Sequence, residues 1–278
     1  MGVAGPLIRI DQLISLLTSG KDVVIADCRA GSADDLEAGR RAYQAGHIPD
    51  AVYFHLEADM SGPAGEHGGR HPLPDPAVIA AKLGAAGIGP GVRVVAYDET
   101  AQFASRFWWL LRYLGHDDVV ILDGGIRAWE AAGQPVTAEP PAARAPVTFV
   151  PKPRPELVAS MTEVRERPAG QVVIDARSAS RFAGNPDPLD PKYGHIPGAI
   201  NRFWGDNLNA DGTWKSPAEL AARFEGLPDA THLIHQCGSG VTACANMVAM
   251  ATLGLEPGRL YVGSWSDWCT YDENPLEK

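Results

Sequence analysis

The chain is most informative at first for what it has little of. Four cysteines in 278 residues are too few for a disulfide framework, so the thiols are expected free and the compartment reducing, hence cytoplasmic. No run of 18 apolar residues occurs, which predicts no membrane span and no membrane partner. Met1-Gly2-Val3-Ala4-Gly5-Pro6 lacks the basic and long apolar regions of a secretory signal. Pro6 also stands where an N-myristoylation site wants Ser or Thr. Positive charge is in deficit, with 24 Lys and Arg against 34 Asp and Glu and a sequence pI near 5.2, which argues against nucleic acid as a partner. Neither a phosphate-binding glycine loop nor a zinc-type cysteine pairing is found, so no cofactor and no metal are expected. The length suits about two ordinary domains.

Against these absences stands Cys237-Gly238-Ser239-Gly240-Val241-Thr242-Ala243. The apolar run Leu233-Ile234-His235-Gln236 before it reads as a buried strand. The run Ala243 to Ala251 after it reads as a helix. A thiol at such a strand-loop-helix turn can collect backbone N–H groups from the loop and the helix N-terminus, which favour a thiolate. Gly238 and Gly240 let the backbone curl around one point. A cysteine at a strand end is commonly no more than a small core residue, so the loop needs support from elsewhere.

An internal repeat supplies it. Val23-Val24-Ile25-Ala26-Asp27-Cys28-Arg29 is followed by Gly46-His47-Ile48-Pro49, and Val172-Val173-Ile174-Asp175-Ala176-Arg177 by Gly194-His195-Ile196-Pro197. Asp27 to His47 and Asp175 to His195 both span 20 residues. Leu122-Asp123-Gly124-Gly125 to Trp129 echoes Tyr261-Val262-Gly263-Ser264 to Trp268. Counting back 31 residues from Trp129 reaches Asp98, and the same count from Trp268 reaches Cys237. So long a period means two copies of a domain, one with a thiol and one with a carboxylate at the same place.

These motifs resemble the tandem-domain rhodanese (sulfurtransferase) family, and the loop resembles most its 3-mercaptopyruvate sulfurtransferase branch. The resemblance runs from about Leu7 to Trp268. It implies a silent N-terminal copy and a catalytic C-terminal one, as the Asp98/Cys237 asymmetry suggests. It also implies transfer of a sulfane sulfur from a small-molecule donor, 3-mercaptopyruvate favoured, to a thiol or cyanide through a Cys237 persulfide. A thioredoxin-like protein is among the acceptors expected. Alternating strand and helix patterns agree with an α/β fold of two tandem rhodanese-like domains, each a parallel sheet with helices on both faces. Helices are expected at Ile10–Leu17, Pro76–Leu83, Phe103–Leu114 and Ile126–Ala131. Strands are expected at Val23–Ala26, Val92–Tyr97, Val119–Leu122 and near Leu260–Val262. The domains are placed at residues 1–137 and 157–278. Between them residues 138–156, with six prolines, read as a stiff extended linker.

His47 to Asp98 is 51 residues but His195 to Cys237 only 42. The excess falls in a glycine-rich stretch around Ser61–Pro72, which by itself reads as a surface loop. In the mercaptopyruvate branch this segment brings an acidic residue and a histidine toward the loop serine. Glu57 and His71 match, with Asp59 a nearby competitor. Donor choice turns on Ser239: the loop carries no basic residue, and a neutral hydroxyl suits the enolate left by a monoanionic keto acid, unless Ser239 merely caps the following helix. Arg181 matches the family's first donor-binding arginine, or is an ordinary surface arginine. The loop backbone at Gly238, Gly240, Val241 and Thr242 is expected to complete the substrate site. Two departures stand out. Pro188 occupies the second arginine position, with Lys192 or Arg202 as candidate substitutes, and Val262 replaces the family's aspartate.

His47 and His195 are expected to make structural hydrogen bonds. Cys28 and Cys244 read as inert, and Cys269 as an exposed cysteine or a resolving thiol. A cysteine phosphatase would need arginine six residues after Cys237, where Ala243 stands. A thiosulfate sulfurtransferase, or a non-catalytic sulfur carrier or binding module, are the alternatives.

Overall fold

The computed structural model describes residues 5–278, which form two compact units. One comprises residues up to Gly62, Pro74–Arg154 and Asn209–Trp214; the other comprises Pro63–Leu73, Pro155–Leu208 and Lys215–Lys278. The first contains β1 (Leu7–Ile8), α1 (Ile10–Leu17), β2 (Val23–Asp27), α2 (Ala38–Ala45), β3 (Val52–Tyr53), α3 (Pro76–Ala85), β4 (Arg93–Tyr97), α4 (Gln102–Tyr113), β5 (Val119–Leu122) and α5 (Gly125–Ala131). The second contains α6 (Met161–Arg165), β6 (Val172–Asp175), α7 (Ala179–Phe182), β7 (Ile200–Asn201), α8 (Pro217–Phe224), β8 (Leu233–Gln236), α9 (Ala243–Thr252), β9 (Arg259–Leu260) and α10 (Ser264–Trp268).

Both sheets are wholly parallel, in the orders β1-β5-β4-β2-β3 and β7-β6-β8-β9. The longer strands β2, β4, β5 and β6 are rich in Val and Ile, as strands of a parallel sheet with both faces covered are. Helix starts follow local chemistry. Asp75 accepts from the N–H of Ala77 at 2.7 Å with Pro76 in the first turn, and Ser216 with Glu219 closes a capping box on α8. One core gathers Leu13, Ile25, Ile48, Val95 and Trp129; the other gathers Val164, Val173, Ile234, Trp265 and Trp268.

The repeated Asp-x-Arg and Gly-His-Ile-Pro motifs acquire a shared physical role. Buried Asp27 pairs with Arg29 at 2.6 Å, and Arg29 also donates to the Gly46 carbonyl at 2.6 Å. Asp175 and Arg177 repeat this at 2.7 Å, Arg177 donating to Gly194 at 2.7 Å. Each buried pair thus ties the strand end to its Gly-His turn, and removing one partner would strand the other charge. His47 Nδ1 meets the Tyr43 carbonyl at 2.8 Å and His195 Nδ1 the Phe182 carbonyl at 2.9 Å, the structural role expected.

Residues 138–154 run without helix or strand, as their prolines require. They are fastened along the first unit by Val147 to Gly84 at 3.0 Å and Lys152 to Leu114 at 2.8 Å. Among the described residues no helix is long and apolar enough to cross a membrane.

Candidate active site

Cys237 follows β8 at the carboxyl end of the parallel sheet, where ligands of such sheets bind. It is 1% exposed. The loop to α9 turns at Gly240, whose φ is +74°. A Cβ there would lie 2.3 Å from the Val262 carbonyl oxygen, so only glycine fits. The start of α10 clamps the loop from behind. Cys237 N–H donates to Ser264 Oγ at 3.1 Å, and Ser264 Oγ donates to the Tyr261 carbonyl at 2.9 Å. The Cys237 and Gly238 carbonyls accept from Trp265 and Ser266 N–H at 3.0 and 2.9 Å. Ser264 is itself a left-handed non-glycine residue, φ +55°, a conformation these bonds hold in place. With its carbonyls turned back to α10, the loop leaves the N–H groups of Gly238, Ser239, Val241 and Thr242 without a protein acceptor among the described residues.

The first unit shows what such a loop holds. Asp98 stands at the cysteine position, and Ala101, φ +63°, at that of Gly240. The Asp98 carboxylate accepts from the N–H of Thr100 at 2.8 Å, Phe103 at 2.7 Å and Ala104 at 3.0 Å, and from Ala101. By the repeat these amides match those of Ser239, Thr242, Ala243 and Gly240. Burial raises the Asp98 carboxyl, while its four amide bonds pull it down. The loop geometry is therefore an anion cradle.

In the second unit, segment 63–73 is fastened across α10. Gly68 N–H donates to Asp267 Oδ1 at 2.7 Å and Arg70 N–H to Ser266 Oγ at 3.1 Å. Gly69 makes this approach possible: its φ is +79°, and a Cβ would meet the Gly263 oxygen at 2.3 Å. The segment delivers two side chains. His71 Nδ1 lies 2.7 Å from Ser239 Oγ, and the α9 N-cap is Thr242, so Ser239 is an imidazole partner and not the helix cap. Arg70 Nη2 would stand 3.0 Å from a Cβ on Gly238, and Arg181 Nη2 and Nη1 3.2 and 3.4 Å from it. Two guanidinium groups therefore converge beside the cysteine. Asp190 joins them, pairing with Arg70 Nη1 at 2.5 Å and with Arg181 Nη2, while Asp187 pairs with Arg181 Nε at 3.1 Å.

Arg70 is the cation the sequence reading missed; its signal was its place next to His71 in the insertion. Neither candidate substitute fills that part. Lys192 is drawn to Asp272 at 3.1 Å, and Arg202 donates to the Arg223 and Asn201 carbonyls at 3.0 Å each. Cys269 is not exposed but 3% accessible in the second core. Burial first, then Asp190, pushes its thiol up to about 12, which disqualifies it as a ready resolving thiol. Cys28 and Cys244 are likewise buried, and burial raises the Cys28 thiol, with Asp98 adding to it. Asp59 is committed within the first unit, accepting from His55 N–H at 2.8 Å and pairing with Lys82 at 3.4 Å. Glu57 also lies in the first unit, its own N–H donating to His55 Nδ1 at 3.1 Å. Among the described residues no three His, Cys, Asp or Glu side chains group as a metal site.

Comparison with known proteins follows the same lines. A family model described as "Rhodanese-like domain" matches residues 10–132 and 160–271. A Pseudomonas aeruginosa relative named as a 3-mercaptopyruvate sulfurtransferase is 42% identical, over 97% of each chain. A Mycobacterium tuberculosis relative named as a thiosulfate sulfurtransferase is 35% identical, over 97% of this chain and 96% of its own. The structure of 3-mercaptopyruvate sulfurtransferase from Leishmania major superposes with a TM-score of 0.86 at 29% identity, covering 98% of this chain and 76% of that one. With two matched domains, the shared fold and relatives of this similarity, the chain belongs to the rhodanese family and is a sulfurtransferase.

Proposed function

We propose that the chain takes sulfur from 3-mercaptopyruvate onto Cys237 and passes it to a thiol or to cyanide. The Cys237 thiolate attacks the donor sulfur. An S–S bond forms, the C–S bond breaks, and its electron pair leaves with the three-carbon fragment as the enolate of pyruvate. The enolate takes up the proton from the donor thiol, and Cys237 is left as a persulfide anion. The acceptor then attacks the outer sulfur and Cys237 departs as thiolate. Loop amides stabilise each anionic sulfur. Ser239, joined to His71, donates to the enolate oxygen, and Arg70 with Arg181 hold the donor carboxylate. Glu57 as the acidic partner of His71 rests on the resemblance alone, and a reducing cytoplasm on the low cysteine content.

The observation that carries this reading is the convergence of Arg70 and Arg181 on Gly238, next to a cysteine and a serine-histidine pair. Both cations come from outside a neutral loop, an arrangement suited to a carboxylate beside the reacting sulfur. The test is intact-protein mass after incubation with 3-mercaptopyruvate. Wild type should gain the mass of one sulfur and release pyruvate, and Cys237→Ser should do neither. Single replacements of Cys28, Cys244 or Cys269 that abolished the gain would overturn the assignment. A thiosulfate donor is the second reading, favoured by the name of the M. tuberculosis relative. Higher kcat/KM with thiosulfate than with 3-mercaptopyruvate would establish it instead.

A further inference from the structure

The two donor-site arginines are not bare cations. Asp190, whose side chain is 2% exposed, bridges Arg70 and Arg181, and Asp187, 20% exposed, forms an ion pair with Arg181, 3.1 Å from its Nε. Arg70 Nη1 is further occupied by the Leu189 carbonyl at 2.9 Å. The nitrogens turned to the loop at Gly238 are Arg70 Nη2 and Arg181 Nη2 and Nη1, and Arg181 Nη2 is already bonded to Asp190, which leaves Arg70 Nη2 and Arg181 Nη1. They offer two donors, as many as one carboxylate has oxygens. Two guanidinium groups and two carboxylates sum to no net charge, and Lys192 nearby is spent on Asp272. Such a cluster binds through directed hydrogen bonds, with little long-range pull on a second negative charge.

We infer that Asp187 and Asp190 are specificity-determining residues: they neutralise the arginine pair and so tune the site to a monoanionic donor against a dianionic one. The inference rests on the proposed sulfur-transfer reading and adds to it which residues set donor choice. Asp190 has a second consequence, since it aligns both guanidinium groups and acts as a positioning residue. An unbridged pair would attract thiosulfate more strongly and hold any donor less accurately.

The test compares kcat/KM for 3-mercaptopyruvate and thiosulfate in wild type, Asp187→Asn and Asp190→Asn. Each substitution keeps side-chain size and removes one negative charge. The ratio of thiosulfate to 3-mercaptopyruvate efficiency should rise about tenfold in each variant, the order expected for one partly buried charge acting on one added ligand charge. The gain should appear in the KM for thiosulfate and shrink with added salt, which a merely structural role would not produce. Loss of alignment in Asp190→Asn lowers both efficiencies and cancels in the ratio, and Asp187→Asn decides the matter should Asp190→Asn fail to fold. An unchanged ratio with active wild type would overturn this inference alone. A wild type that takes sulfur from neither donor would overturn the underlying reading and this one with it.

Discussion

Replacing Ser239 by alanine tests the chemistry at its most sensitive point. The hydroxyl lies 2.7 Å from His71 Nδ1 and the residue is 7% exposed, so bulk water has little access to replace it. Its role in the proposed reaction is to donate to an oxygen that becomes negative only as the C–S bond breaks. An interaction of that kind lowers the barrier without tightening the bound donor. Loss of one such donor typically costs a factor of about a hundred to a thousand in rate, or about 2.7–4 kcal/mol. The fold should be unaffected, because Ser239 caps no helix and the loop turn depends on Gly240. The measurement is pyruvate release in a single turnover, with enzyme in excess over 3-mercaptopyruvate. The rate constant should fall at least about a hundredfold while donor affinity stays near wild type. His71→Ala should show a comparable loss, and the double variant little more, since the two act as one unit. Near-normal turnover in Ser239→Ala would refute the reasoning, and donor preference would then rest on the arginines.

Two further expectations follow from other parts of the second unit. Arg70→Ala should raise the KM for 3-mercaptopyruvate about thirtyfold, the equivalent of about 2 kcal/mol for a charge-assisted hydrogen bond, and Arg70→Lys should restore only part of it for want of the planar fork; an unchanged KM in steady-state assays would remove Arg70 from the donor site. His235, fully buried in β8, has its pKa lowered to about 4 by burial, with the Pro257 carbonyl opposing. The unfolded chain therefore binds a proton that the native state refuses between about pH 6.5 and 4, so stability is complete above that window and falls on acidification. Between pH 7 and 5 the loss from this residue is about 2 kcal/mol, and His235→Leu should flatten that part of the profile in urea unfolding; parallel profiles would contradict it.

The strand-turn-helix around Cys237 was legible because its determinants are local. A cysteine after an apolar run, glycines at the turn and a small-residue helix all lie in one continuous stretch, from Leu233 to Thr252. The repeat was legible because two copies keep the same spacing between Asp, His and Trp. The arginine cluster beside Gly238 was not, because its parts come from distant segments: Arg70 from the insertion, Arg181 and Asp190 from α7 and the stretch after it. Nothing periodic in the sequence signals that Gly69 lets a loop pass against Gly263 or that Ser266 receives Arg70 N–H. Cys269 misled for a related reason. It lies near the end of the sequence, where exposure is the usual state, yet it caps α10, whose Trp265 and Trp268 carry it into the core. Strands of two residues such as β7 and β9 are too short to show alternation; they are set by pairing with β6 and β8.

Asp98 makes the molecule its own control experiment. The same loop is built twice, once around a cysteine and once around a carboxylate that takes up four amide N–H groups. Holding an acidic side chain is thus a property of the backbone, whichever residue stands at its centre. Reactivity is what the second copy adds from outside the loop. Where it has Ser239 the first has Thr100, and where it has Arg181 the same repeat offset reaches Ala33. A thiol installed at position 98 would inherit a cradle with no arginine at the place of Arg181. On the proposed reading a cysteine in this loop needs the company of its distant arginines and its histidine, and the first copy keeps the loop's architecture around a carboxylate.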